Sequence, residues 1–212
     1  MHYPAECDPL ICLSVDDSIG YLKLNRASKR NAINTQMANE FVQACKSLTQ
    51  RNAKVCIIAA EGAVFCAGID IADPNMTEAF KTFYDAMVAT SILWIACVSA
   101  PVIGAGVAIV ATAPIVIATP AMWVSLPELP KLGRFPVGVV EKAKQFVSHR
   151  WLMGIALSGE RATAQQAALN GLVTEIVSAG EEDAAALKWA KRLAHLDMSV
   201  VSAARSCWLD AH

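Results

Sequence analysis

Regular alternation of apolar and polar positions begins at Ile11. Residues Ile11 to Val15 and Ile19 to Leu24 are apolar and partly alternating, with Asp16-Asp17-Ser18 between them, and so predict a β-hairpin. Asn25 to Ala32 follows as a polar, basic loop. From Thr35 to Leu48 the period changes: Met37, Phe41, Ala44, Cys45 and Leu48 recur at helical spacing, and Asn34 stands where an N-cap belongs. Val55 to Ala60 predicts a short buried strand, and Gly62 to Asp73 a glycine-containing turn region. Glu78 to Val98 reads as one long, mostly apolar helix. Pro101 to Ile103 and Ile115 to Ala118 read as buried parallel strands, with a short helix, Ala105 to Thr112, between them. Further helices are predicted at Val137 to Phe146, at Trp151 to Leu157, and at Thr163 to Leu169, the last opened by a threonine cap and closed at Gly171. Leu172 to Val177 is a strand, and helices Glu182 to Ala194 and Ser199 to Leu209 close the chain. Strand, strand, helix, repeated with variation, predicts an α/β layered fold built on βα crossovers.

One stretch tests that reading. Ala86 to Pro127 carries no charged residue, and its length alone would allow a membrane span. Pro101, Gly104, Gly106, Pro114 and Pro120 cut it into pieces of strand or short-helix length, and Lys/Arg anchors do not flank it. A buried helix and strand passage is predicted, with no membrane partner.

Composition narrows the function classes. A chain of 212 residues suffices for one α/β domain with a core. Lys plus Arg is 18 against 19 for Asp plus Glu, so the basic excess behind a sequence-independent grip on nucleic acid is missing. A specific small-molecule site is the expectation. The 7 cysteines are odd in number, scattered, and contain no C-x-x-C pair, so neither zinc nor a redox motif is indicated. Most lie beside apolar neighbours, where a free thiol behaves as a small hydrophobe, and the set implies a reducing compartment. Met1 to Asp8 carries acids and no arginine, unlike a secretory or transit leader, and Leu209 to His212 is not a Ser-Lys-Leu address. The expectation is a soluble, intracellular protein, with cytosol, mitochondrion and peroxisome unresolved.

The chemistry concentrates in Ile57 to Ile71. A buried strand there runs into a small-residue turn at Ala67-Gly68, and the free N–H groups after Gly68 can point at a developing negative oxygen. A plain βα turn would look the same. Glu128 follows Pro127 between Trp123 and Leu132, and a carboxylate in such surroundings has a raised pKa suited to proton exchange; a surface glutamate after a proline is the bland alternative. Lys29 and Arg30 read alone as a solvated basic loop, and Asp70 as a turn carboxylate. A Ser/His hydrolase finds no support: G-x-S-x-G does not occur, and His2, His149, His195 and His212 lie in no triad context.

Four segments, in order, resemble the enoyl-CoA hydratase/isomerase (crotonase) family. Phe65-Cys66-Ala67-Gly68-Ile69-Asp70 is similar to its F-[CA]-A-G-x-D signature, and Leu24 to Asn34 to its L-N-R-P-x-K-R-N-A-[LI]-N loop. Leu126-Pro127-Glu128-Leu129 is similar to [QL]-P-E-[IL]. Leu157 to Ala167, with Gly171-Leu172-Val173, is similar to L-T-G-[DE]-R-x-x-A-x-x-A…G-L-V. The resemblance covers nearly the whole chain. It implies one domain over residues 1–212, a spiral of ββα units, assembled as a trimer or pair of trimers. It implies an acyl-CoA thioester ligand whose oxygen is held by two backbone N–H groups as an enolate forms, with no cofactor beyond the CoA of the substrate and no metal. The first donor falls on Ile69. Lys29, Arg30 and Ala32 would lie along the CoA phosphates and adenine, and Ala67, Gly68, Ile69, Asp70 and Ile71 along the pantetheine and thioester. Glu128 matches the glutamate that moves the proton in hydration or double-bond shift.

The pattern breaks in two places. The family's A-x-x-N-G-x-A-x-G-G-G segment, read as following the Pro101-Val102-Ile103 strand, is shortened to Gly104-Ala105-Gly106, an apparent internal deletion. The second donor is then Ala105 or Gly106, and the second glutamate of hydratases falls on Ala108. The helical part at about 181–212 also ends earlier than the family's, which weakens the expected assembly. A non-catalytic homologue that binds acyl-CoA, or serves as an assembly subunit, is the alternative to an isomerase or hydratase.

Overall fold

A computed structural model describes residues 8–209. The hairpin forms as expected: β1 (Ile11–Asp16) and β2 (Ile19–Leu24) pair antiparallel. A 3-10 turn at Ala27–Lys29 leads into α1 (Thr35–Gln50), where the Asn34 side chain accepts the Met37 N–H at 2.9 Å. β3 (Val55–Ala60) and α2 (Met76–Ala89) follow.

The predicted helix Glu78 to Val98 is two elements. α2 ends at Ala89, Thr90 turns the backbone extended, and Leu93–Val98 forms a strand, β4, buried at every position. A fully apolar run has neither the helical nor the strand period, so pattern alone could not place the boundary. Next come β5 (Val102–Ile103), α3 (Ala105–Thr112), β6 (Ile115–Ala118), β7 (Trp123–Ser125), α4 (Glu128–Leu132), α5 (Val137–Ala143) and α6 (His149–Ser158). The chain ends in β8 (Ala162–Thr163), α7 (Ala164–Leu169), β9 (Glu175–Ile176), α8 (Glu182–Ala194) and α9 (Met198–Leu209). Thr163 caps α7 in a capping box with Gln166. The strand expected over Leu172 to Val177 is confined to Glu175–Ile176.

Two sheets result. The larger runs β1-β2-β3-β4-β6-β9, parallel from β2 onward, and the smaller runs β5-β7-β8. Each of the units β4-β5-α3 and β6-β7-α4 places its first strand in the large sheet and its second in the small one. Single bridges, Ile33 to Ile69 and Cys66 to Val102, continue the small layer back toward the N-terminus. That is the spiral of ββα units the resemblance implied.

The large sheet is buried on both faces, as parallel strands require. Ile57, Ile95 and Ile117 face α8, against Ala186 and Ala190. Ile58, Trp94 and Val116 face α1, α2 and α3. There Phe41 stacks on Phe83 at 3.7 Å between centroids and on Trp94 at 5.7 Å. The uncharged run therefore lies in the core, and among the described residues no helix is long and apolar enough to cross a membrane. Cys45, Cys56, Cys66 and Cys97 are buried free thiols, as small hydrophobes should be. Cys12 departs from the reading of reduced cysteines, since it is disulfide-bonded.

Candidate active site

The placement of β4 changes how the glycine segment is read. With the strand at Leu93–Val98, the positions of the family's A-x-x-N-G-x-A-x-G-G-G fall on Ala96 to Gly106 at full length, with Ser99, Ala100, Val102 and Ala105 in place of its Asn, first Gly, second Ala and middle Gly of the last three. The apparent deletion came from aligning the wrong strand; Pro101 to Ile103 belongs to the small sheet.

The segment Cys66 to Asp70 is held from both sides by backbone hydrogen bonds. On one side Ala67 N donates to Arg30 O, Ile33 N to Gly68 O, and Asp70 N to Ile33 O. On the other, Ile103 N donates to Cys66 O at 2.9 Å. Within this frame Gly68 takes φ +90°, a conformation open to glycine. A methyl group on Gly68 would fall 3.0 Å from Ala105 N and 3.2 Å from Ile103 O, so the two turns touch main chain to main chain. The Ile69 N–H meets no acceptor among the described residues. Ala105 and Gly106 open α3, where the first N–H groups have no partner within the helix.

Glu128 reaches this seam through the small sheet. Pairing of Ile103 with Ser125 and the bond from Gly104 N to Ser125 O fix the end of β7 beside Gly104. Leu126 and Pro127 then bring Glu128 to the start of α4. Gly104 has φ +57° and ψ −129°, and a methyl group there would fall 2.6 Å from Glu128 Oε1 and 3.6 Å from Gly68 Cα. The carboxylate thus sits over the two facing glycines. Its Oε2 is buried without a hydrogen-bond partner among the described residues, and burial pushes its pKa above the ordinary 4.5. Ala108, on the second turn of α3, is fully buried among apolar neighbours.

The flanking loop is clamped by Arg26 and Asn31, to which the sequence reading had assigned no role, together with Asp70. Arg26 Nη1 donates to Asp70 Oδ2 at 2.7 Å and to Ala32 O at 2.9 Å. The Arg26 hydrogen bond holds the Asp70 carboxyl below its usual range. Asn31, fully buried, accepts from Arg26 N and donates to Glu61 O and Val64 O. Arg26, Asn31 and Asp70 all lie within the matched motifs, which was the available signal. Lys29 and Arg30 are exposed at the rim, Ala32 is half-buried, and Ile71 is 71% exposed. The structure brings Ala67 to Asp70 together with Gly104, Ala105 and Glu128, and leaves Lys29, Arg30 and Ile71 on the surrounding surface.

Two cavities lie elsewhere. One of about 180 Å³ sits where Lys23, Cys97 and Ser99 meet Asp183 of α8, and one of about 550 Å³ lies between Tyr84, Lys142 and Leu209. Neither is lined by Glu128, so the candidate site is defined by its buried carboxylate and backbone donors. Among the described residues no group of three or more His, Cys, Asp or Glu side chains gathers as a metal site.

The profile of the family described as Enoyl-CoA hydratase/isomerase matches residues 14–208. The chain is 22% identical over 191 residues to the "Probable enoyl-CoA hydratase echA6" of Mycobacterium tuberculosis, covering 88% of this chain and 77% of that protein. It is 30% identical over 172 residues to the "Probable enoyl-CoA hydratase echA8" of Mycobacterium leprae, covering 77% of this chain and 66% of that protein. Among solved structures it resembles human enoyl coenzyme A hydratase domain-containing protein 3, with a TM-score of 0.86 at 22% identity over 95% of this chain and 83% of that one. An enoyl-CoA hydratase structure from Mycobacterium smegmatis gives a TM-score of 0.87 at 20% identity, covering 95% and 82%. At these identities the structural likeness speaks for the fold.

Proposed function

This chain belongs to the enoyl-CoA hydratase/isomerase family, and on that premise we propose that it binds an acyl-CoA thioester and moves a proton on it. Ile69 N–H and Ala105 N–H polarise the thioester carbonyl, and Glu128 is the acid/base. The observation that carries this reading is the buried Glu128 carboxylate, its Oε2 without a hydrogen-bond partner among the described residues, held over the facing turns of Gly68 and Gly104. The closeness of Ala105 N to Gly68 favours Ala105 over Gly106 as second donor. A carboxylate with a raised pKa can take a proton from the carbon beside the thioester, while the two N–H groups stabilise the enolate oxygen.

Ala108 bears on the reaction type. Hydration needs a water held and activated, and the apolar side chain at this position offers it nothing. One carboxylate suffices to lift a proton from one carbon and return it to another, so a double-bond shift is the favoured reaction. CoA enters as part of the substrate, with Lys29, Arg30 and Ala32 along its phosphates and adenine and Ala67 to Ile71 along its pantetheine. Assembly into trimers or pairs of trimers is part of the proposal; exposed Leu132, Val137, Leu157 and Leu169 supply apolar surface for it. The missing second carboxylate also favours one other reading, a homologue that binds acyl-CoA without turning it over.

Calorimetric titration of the intact chain with a medium-chain enoyl-CoA, with turnover followed in the same sample, tests the proposal. Binding with turnover that vanishes in Glu128→Gln is expected. Binding without turnover would establish the non-catalytic reading, and a folded sample that does not bind would overturn both.

A further inference from the structure

Glu128 stands on α4, and α4 rests against a glycine turn that the chemistry above does not use. Gly159 ends α6 with φ +69°. A methyl group on it would fall 2.5 Å from Pro130 Cγ, 3.2 Å from Pro130 Cδ and 3.4 Å from Pro127 Cα. These two prolines flank Glu128 in the chain, Pro127 just before it and Pro130 two residues after. The turn is itself anchored. Gly159 N donates to Ile155 O at 2.9 Å, and Gly159 O accepts the hydroxyl of buried Ser125 at 2.8 Å. The carbonyl of the same Ser125 accepts Gly104 N at 3.0 Å. One residue of β7 therefore ties the turn against α4 to the turn that the Glu128 carboxylate covers.

A glycine with left-handed φ commonly ends a helix. That accounts for the backbone of Gly159 without accounting for its contact with Pro130. We propose that Gly159 is a positioning residue for Glu128: its bare main chain lets α4 lie against the end of α6, and that contact sets where the carboxylate stands over Gly104. The proposal rests on the acyl-thioester reading of the site, in which Glu128 moves the proton. Carbon atoms rest about 3.5–4.0 Å apart, so a methyl at Gly159 would overlap Pro130 by about an ångström. Glu128 could answer a methyl at Gly104 by swinging its side chain. Pro130 has no such escape, because its ring closes onto the main chain of α4. Gly159 is held by Ile155 and Ser125, so α4 is the part that moves, and Glu128 moves with it. The main chain of Gly104 leaves no room inward, and the displacement carries the carboxylate toward water.

The test is a cycle of Gly159→Ala, Pro130→Ala and the double variant, with turnover of an enoyl-CoA and the titration of Glu128 followed in each. The titration is read from the ¹³C resonance of the Glu128 side-chain carboxyl, assigned by its loss in Glu128→Gln. Gly159→Ala should lower kcat about 10²-fold, as an ångström's misplacement does, with KM changed less than about twofold because the donor turns are untouched. Its Glu128 pKa should fall toward the ordinary 4.5 as water reaches the carboxyl. In the double variant the overlapping ring carbons are gone, and the nearest remaining contact is Pro127 Cα at 3.4 Å. Both kcat and the Glu128 pKa should then return to the values of Pro130→Ala alone. A glycine needed only to end α6 would give no such return, since φ +69° is the same in both backgrounds. A Gly159→Ala protein whose Glu128 titrates as in the parent, or a double variant that recovers neither quantity, overturns the proposal and leaves the thioester reading standing. Should Gly159→Ala fail to fold, Gly159→Asn takes its place in the cycle, because asparagine tolerates left-handed φ and still carries the overlapping Cβ. If the parent binds enoyl-CoA without turning it over, the titration decides alone. A parent that folds but does not bind enoyl-CoA removes the thioester reading, and the positioning role with it.

Discussion

Gly104→Ala puts the geometry of the site under direct test. The residue has φ +57° and ψ −129°, outside the regions a side-chain-bearing residue adopts comfortably. Holding alanine there costs about 1–3 kcal/mol. The added methyl would also lie 2.6 Å from Glu128 Oε1, well inside van der Waals contact. The carboxylate is the movable partner, and it must swing away by about an ångström, a displacement that can cost about 10²-fold in rate. In a chain of this length 1 kcal/mol corresponds to about 2–4 °C in Tm, so the expected fall is roughly 2–12 °C. Thermal unfolding and turnover of an enoyl-CoA are measured on the same preparation. Adding Glu128→Ala to Gly104→Ala should recover the part of the Tm loss due to overlap and leave the part due to the backbone. A Gly104→Ala protein with parental Tm and turnover would refute the placement of Glu128 over this turn.

Three further outcomes follow from charges and hydrogen bonds. Glu128 binds its proton more tightly folded than unfolded, so its ionisation destabilises the fold as pH rises from the ordinary 4.5 through the raised folded value. Glu128→Gln should therefore unfold at a higher temperature than the parent near neutrality, with the gap closing as pH falls below 4.5; a gap independent of pH would contradict the burial of this carboxylate. Asp70 is the opposite case: its folded pKa is depressed, so the Arg26 clamp stabilises above the unfolded carboxylate value and fails as pH drops through the folded one. Asp70→Asn should cost about 1–2 kcal/mol in urea unfolding at pH 7, at the low end for a charge-assisted pair because solvent reaches both partners, and the difference should shrink in acid. Asn31→Ala removes three part-buried hydrogen bonds made by a buried residue with φ +53°, and should cost about 1–3 kcal/mol by the same assay, since Arg26 N, Glu61 O and Val64 O lose their partner.

Much of the fold was legible because short-range physics decides it. The α1 helix needs only its apolar spacing and the Asn34 cap, and the β3 strand only its unbroken apolar run between turn residues. Thr163 announced the helix cap that the structure completes as a capping box, and Gly68 and Gly171 fell where the chain takes positive φ. Even Glu128 stood out, as an acid in an apolar neighbourhood. The failure lay in Glu78 to Val98. A strand buried on both faces and a buried helix are equally apolar, and what separates them is whether neighbouring strands exist to take the backbone hydrogen bonds. For Leu93–Val98 those neighbours are β3 and β6. That error displaced the alignment of the next segment and produced an apparent deletion.

The sequence by itself determined where most of the helices start, several of the buried strands, and which residues have chemistry to offer. Only the tertiary structure decided what those residues face. Glu128 meets Gly104, Arg26 meets Asp70, and Cys66 meets Gly106 across tens of residues of chain. Such contacts leave no periodicity behind, because they are set by how two sheets and their crossovers stack rather than by the local backbone. A glycine looks the same in the sequence whether it relieves a turn or makes room for a carboxylate, and only the packing of β5 against β7 tells the two apart.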